Sequence, residues 1–135
     1  MNIYVSEFEK IKDYEVEKIG DAIEQEFGSE GVNVWRSNAF TSYEDIQTKI
    51  AKSDVFVALI DEVWESSTWK MSEYGHAFCS ENMILDEDGH SITKKIIYLH
   101  DGWRFPSYLA SFPGDKVVVR NLDDLLKSIR TCINT

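Results

Sequence analysis

The stretch Ser53-Asp54-Val55-Phe56-Val57-Ala58-Leu59-Ile60 decides the fold. Six apolar residues run without a break from Val55 to Ile60. A strand with one wet face alternates polar and apolar residues. A strand that is apolar throughout is covered on both faces, and such strands belong to parallel sheets flanked by helices. The shorter apolar runs on either side fit the same sheet. Ile3-Tyr4-Val5 reads as strand one, Val32 to Trp35 as strand two, Ile96-Ile97-Tyr98-Leu99 as strand four and Val117-Val118-Val119 as strand five.

Helical signals fill the intervals. Val16, Ile19, Ile23 and Phe27 recur at one face's spacing, with Glu15, Glu17, Glu24 and Glu26 off that face. Gly28 and Gly31 end this helix. Thr41-Ser42-Tyr43-Glu44 has capping-box spacing and opens a short helix with Ile46 and Ile50 one turn apart. Ser66, Ser67 and Thr68 can cap a helix that runs to about Glu81. A polar loop around Asp88-Gly89 follows. Asn121 caps a last helix with Leu122, Leu125, Leu126, Ile129 and Ile133 on one face. The order β-α-β-α-β-α-β-β-α, with an irregular stretch over 101–115, predicts an α/β fold. Its sheet is five-stranded and parallel, ordered 2-1-3-4-5, with helices on both faces. A single domain over 1–135 is expected, because 135 residues suffice for one core.

Charge and composition exclude several classes. Fourteen Lys and Arg against 24 Asp and Glu give a net charge of −10. Phosphate-rich partners need clustered cations, so nucleic acid and anionic membrane are not expected partners. The longest apolar run falls well short of the ~20 residues that span a bilayer. Met1 to Val5 lacks the basic-then-apolar form of a secretory signal. Cys79 and Cys132 are isolated, which fits a reduced, cytoplasmic setting.

In sheets of this kind ligands sit beyond the carboxyl ends of the strands. Ser6 and Phe8 follow strand one; Trp35, Arg36 and Ser37 close strand two; Trp64 follows strand three; Trp103 follows strand four. Trp69 lies in the first turn of the helix after strand three, so all four tryptophans fall near one edge. Tryptophan stacks flat rings and anchors interfaces, although partial burial in a core is as ordinary a use. Trp69, Glu73 and His76 share one face of that helix. A carboxylate there can hold ribose hydroxyls and stabilise an oxocarbenium-like sugar. The plain alternative is a solvated helix glutamate. Asp86-Glu87-Asp88-Gly89 lacks the alternating ligands and terminal glutamate of a calcium loop. His76, His90 and His100 have no metal-ligand spacing. No Walker A loop or G-x-G-x-x-G is present, so a nucleotide would not be held in those standard ways; no metal and no resident cofactor are expected.

Strand three with its leading Ser53-Asp54, followed by Trp69-Lys70-Met71-Ser72-Glu73, resembles the core signature of TIR (Toll/interleukin-1 receptor) domains, standalone bacterial members included. Ile3-Tyr4-Val5-Ser6 resembles that family's first strand. The resemblance implies a flavodoxin-like three-layer sandwich. In enzymatic members it implies cleavage of the nicotinamide–ribose bond of NAD, with Glu73 as catalytic glutamate and Trp69 beside it. On this reading NAD is substrate rather than cofactor. Its rings would stack on Trp35, Trp64 or Trp69, Arg36 would meet the diphosphate, and Ser6, Phe8 and Ser37 would border the pocket. The product would be ADP-ribose, a cyclised form or an adduct serving as a signal in bacterial defence. Self-association through TIR surfaces and a separate sensor or effector protein are the implied partners. The loop after strand two, Arg36-Ser37-Asn38-Ala39-Phe40-Thr41, lacks the Pro-Gly pair of adaptor-type TIR domains, which disfavours a purely non-catalytic interaction module. A second likeness competes. Glu73-Tyr74-Gly75-His76-Ala77 is similar to the E-x-G-x-A helix of nucleoside 2-deoxyribosyltransferases, whose glutamate attacks deoxyribose. Both relatives act at C1′ of a ribosyl group, so Glu73 keeps its place in either.

Overall fold

The computed structural model describes residues 1–6, 15–36, 42–60, 95–100 and 117–134. Five strands make one sheet: β1 (Asn2–Ser6), β2 (Asn33–Arg36), β3 (Val55–Ile60), β4 (Lys95–His100) and β5 (Val117–Val119). The order is β2-β1-β3-β4-β5, and every neighbouring pair is parallel. Three helices are described, here named α1 (Glu15–Phe27), α2 (Tyr43–Lys52) and α3 (Leu122–Ile133). The α/β class, strand order and flavodoxin-like layering expected from the sequence are those observed.

β3 occupies the middle of the sheet, between β1 and β4. Val55, Phe56, Val57, Ala58 and Leu59 are all buried, which accounts for its unbroken apolar sequence. Alternate residues serve different cores. On one face Ile3, Val5, Val55, Val57, Leu59, Ile97, Leu99 and Val119 pack with Ile23 and Phe27 of α1 and with Leu125 and Ile129 of α3. Tyr4 and Phe56 fall between those positions and bury on the other face, as stacked rings with centroids 5.6 Å apart and planes 5° from parallel. α2 contributes buried Ile46 and Ile50 beside β1.

The strands are brought into register at the amino edge by Asn2. Its backbone N–H donates to the Asp54 carboxylate at 2.8 Å, and Asp54 N–H donates back to the Asn2 carbonyl at 2.8 Å. Its side-chain amide donates to the Lys52 carbonyl and accepts from the Asn33 amide. One residue thereby ties β1 to β2 and to the entry of β3. Ser53 closes α2, its buried hydroxyl donating to the Ile50 carbonyl at 2.7 Å.

Caps show where sequence and structure part. Asn121 caps α3 as expected, accepting from Asp124 N–H at 2.8 Å. The capping box at α2 shifts by one residue. Ser42, not Thr41, is the N-cap, and its hydroxyl accepts from Asp45 N–H. Ser42 to Asp45 has the same spacing as Thr41 to Glu44, so the local pattern fits both frames. Ile46 and Ile50 are buried from the frame that Ser42 opens. α1 ends at Phe27 as its period implied, and Gly31 turns the chain into β2 with φ at +76°, where a side chain would be strained.

A second contact locks the helices of the larger core together. Arg130 of α3 donates two hydrogen bonds to the Glu30 carboxylate, at 2.6 and 2.8 Å, and a longer one to Glu26. The guanidinium carbon sits 4.7 Å from the Phe27 ring centroid. A planar donor fork suits this combined carboxylate and ring contact. Hydrogen bonding from Arg130 holds the Glu30 carboxyl below its ordinary range, outweighing partial desolvation.

Two predictions follow from these contacts. Phe56→Ala removes a fully buried ring from the second core, and urea unfolding should show a loss of about 3–5 kcal/mol. Glu30 has a depressed folded-state pKa, so its share of stability is present above the ordinary carboxylate pKa of about 4.3 and is lost as pH falls through the lower folded value. The stability gap between the native protein and Arg130→Met should therefore be widest near neutral pH and should close in acid. A gap that stays constant from neutral to strongly acidic pH would contradict the assignment.

Candidate functional site

The parallel sheet defines a carboxyl edge. Ser6, Arg36, Ile60, His100 and Val119 are the last residues of the five strands there. Ser6 ends β1 fully buried, in register with Ala58 of β3, which is in turn in register with Tyr98 of β4. Ile60 and His100 are the last register pair between β3 and β4.

Trp35 and Arg36 were both expected to face a ligand. The structure puts them on opposite sides of the sheet, because successive strand residues alternate. Trp35 is in register with Tyr4, and Arg36 with Val5 of the α1–α3 core. Trp35 therefore lies on the same face as α2, where the Lys49 ammonium stands 4.5 Å from its ring centroid. One face of the indole is thus occupied by a cation, and the ring is half-buried.

Arg36 lies against α1. Its Nη1 donates to Asp21 at 2.5 Å and stands 3.8 Å from a Glu24 carboxylate oxygen. The arginine side chain is only 17% exposed, while Asp21 is 68% exposed. The acids reach in from solvent to a guanidinium held against the protein. Asp21 and Glu24 are spaced one helical turn apart, so both present to the same strand. Sequence reading placed Glu24 off the apolar face but assigned it no partner. The i, i+3 spacing of Asp21 and Glu24 beside an arginine-ended strand was the signal available. A role for Arg36 on a diphosphate would require exchanging these carboxylates for the ligand's anion.

Glu73, Trp69, Trp64, Phe8 and Ser37 lie outside the described residues, as do the expected helix from Ser66 to Glu81, Trp103, His76 and Cys79. Ser6, Trp35 and Arg36 are the expected site residues that are described. Of these, Ser6 and Trp35 share the α2 face, Ser6 and Tyr4 being two residues apart on β1 and Tyr4 in register with Trp35. Among the described residues no group of three or more His, Cys, Asp or Glu could hold a metal ion. No helix among them is long and apolar enough to cross a membrane.

No protein-family model matches the sequence, and no curated protein matches it. The resemblance to TIR domains therefore rests on the residues quoted above. A solved structure does share the fold: the CMP N-glycosidase BcmB from Clostridium botulinum, with a TM-score of 0.61 and 14% sequence identity. The alignment covers 96% of this chain and 99% of that one, so the likeness extends over the whole α/β sandwich.

Proposed function

We propose that this protein is an enzyme that breaks an N-glycosidic bond at C1′ of a ribosyl group, in a nucleoside or nucleoside monophosphate. The observation that carries the reading is the position of Glu73. It belongs to Trp69-Lys70-Met71-Ser72-Glu73-Tyr74-Gly75-His76-Ala77, which follows the central strand β3. The region beyond the carboxyl end of such a strand is where ligands of this fold class bind. The near-complete alignment with a CMP N-glycosidase supports the same bond type.

The mechanism assigns Glu73 to the sugar. As the C1′–N bond lengthens, positive charge develops on C1′ and the ring oxygen. A carboxylate placed beside that charge stabilises the transition state more than the neutral ground state. Transfer to water gives hydrolysis. Transfer to a second base gives exchange, as the likeness of Glu73-Tyr74-Gly75-His76-Ala77 to deoxyribosyltransferases suggests. Trp69, four residues before Glu73 in sequence, would offer a flat surface for the base; Ser6 and Trp35 lie on the α2 side of the sheet.

NAD cleavage is the second reading, and the Trp69-x-x-x-Glu73 spacing favours it. It uses the same glutamate at the same sugar carbon. One observation weighs against it: Arg36, the residue expected to meet the diphosphate, already pairs with Asp21 and Glu24. Signalling in defence and pairing with a sensor protein belong to this second reading.

The test is a substrate panel followed by chromatography of the released base. Purified protein is incubated with cytidine, CMP, deoxycytidine plus free adenine, and NAD. Release of cytosine from the first two, or base exchange in the third, is the expected result. Glu73→Gln should lower that rate by about 100-fold or more without altering the melting temperature. Loss of NAD alone would establish the second reading. No turnover of any substrate, including at concentrations that promote self-association, would leave a non-catalytic module.

A further inference from the structure

We propose that Asp21 and Glu24 act as an internal anion that competes with phosphate-bearing ligands for Arg36, so that the carboxyl end of β2 is an anion site held shut by α1. The inference concerns binding of a phosphate group and is independent of any bond cleavage at C1′. Arg36 is the last residue of β2, in register with Val5, one residue before β1 ends. Ligands of this sheet type gather beyond those ends. The Arg36 side chain is largely sheltered from solvent. A sheltered cation is costly to leave without a counter-charge, and salt screens its attraction for an anion less than that of an exposed one. Asp21 and Glu24 meet this demand in the native protein, both at Nη1.

The two acids are placed to leave. Both are exposed, so each holds its pairing geometry against the pull of water and of its own rotamer freedom. Rotation about side-chain bonds returns either carboxylate to solvent without moving α1. Arg130 is the contrast within the same fold. There one carboxylate, Glu30, takes two guanidinium nitrogens at 2.6 and 2.8 Å, and the Phe27 ring lies against the guanidinium carbon. Displacing Glu30 would break a paired fork and a ring contact together. At Arg36 two separate residues, one helical turn apart, converge on a single nitrogen instead. A phosphate group brings in one molecule the charge that the two acids bring from two side chains, and its oxygens suit the planar guanidinium fork.

The exchange is one of counter-ions, with no bond made or broken. While the carboxylates stay, Arg36 adds little affinity for phosphate, because the incoming anion must first expel them. Once both are neutral amides, the sheltered guanidinium lacks their charge and an external anion takes their place. Asp21 and Glu24 therefore set how strongly this strand end responds to phosphate, and Arg36 is the group through which they do so.

The test is calorimetric titration of the whole protein with inorganic pyrophosphate. Pyrophosphate carries neither sugar nor base, so its binding is read separately from turnover of any nucleoside. Asp21→Asn combined with Glu24→Gln should tighten pyrophosphate binding by about tenfold or more over the native protein. Adding Arg36→Gln to that pair should remove the gain. Glu44→Gln with Asp45→Asn removes the same amount of negative charge from α2, on the other face of the sheet, and should give no gain. An equal gain in this α2 control would overturn the proposal, since net charge would then be the cause. A gain that survives loss of Arg36 would overturn it as well. So would pyrophosphate binding that is unchanged, or absent, when Asp21 and Glu24 are neutralised. Should the Arg36 variant fail to fold, the comparison between the two acid-to-amide pairs decides.

Discussion

The structure depends on β3 being dry on both faces. Its backbone groups are satisfied by parallel ladders to β1 and β4, and its side chains divide between two cores. Neither core is closed without the other. α1 and α3 cover one side, while the Tyr4–Phe56 stack and α2 occupy the other. Polar substitution anywhere from Val55 to Leu59 would leave a buried group without water, a cost that a short strand cannot spread. This double burial also fixes polarity. All five strands run the same way, so their carboxyl ends gather at one edge, and chemistry assembled from several strands has one place to occur.

Strand alternation then divides residues that are neighbours in sequence. Trp35 and Arg36 are adjacent, yet one meets Lys49 on the α2 side and the other meets Asp21 and Glu24 on the α1 side. The acid-rich N-terminal segment is partly neutralised within the fold by this means. Arg36 serves the middle of α1, and Arg130 serves its end through Glu26 and Glu30. Both arginines hold carboxylates that would otherwise repel one another on one helix and its following turn. Asp21, Glu24, Glu26 and Glu30 are all exposed, and the two arginines that pair with them are part of the architecture.

Much of this was legible in the sequence. Val55–Ile60 and Val117–Val119 begin and end where their apolar runs do, and Asn121 caps α3 as its position implied. These features are local, and local physics sets them. What stayed hidden is non-local. Arg130 and Glu30 are 100 residues apart, and no period or spacing connects them. The roles of Ser53 and Asp54 were likewise hidden. As a pair they read as a family signature, but one closes α2 and the other receives the Asn2 N–H. Their presence is explained by folding before any activity is invoked. The Ser42 cap shows the limit from the other side, since two overlapping frames satisfy the same local rule and burial selects one. In the candidate site, the sequence supplied Glu73 and Trp69 by type and spacing. The strand ends supplied by the structure add which face Ser6 and Trp35 share and where β4 stops.

A net charge of −10 weighs on every phosphate-bearing ligand alike, but it does not oppose the bond cleavage proposed. In N-glycosidic cleavage the sugar gains positive charge only as the bond breaks. Carboxylates near C1′ therefore act on the transition state and scarcely on a neutral nucleoside, which is the distinction that separates catalysis from binding. Exposed acids such as Asp21 are screened by salt within about 10 Å and contribute little at that distance.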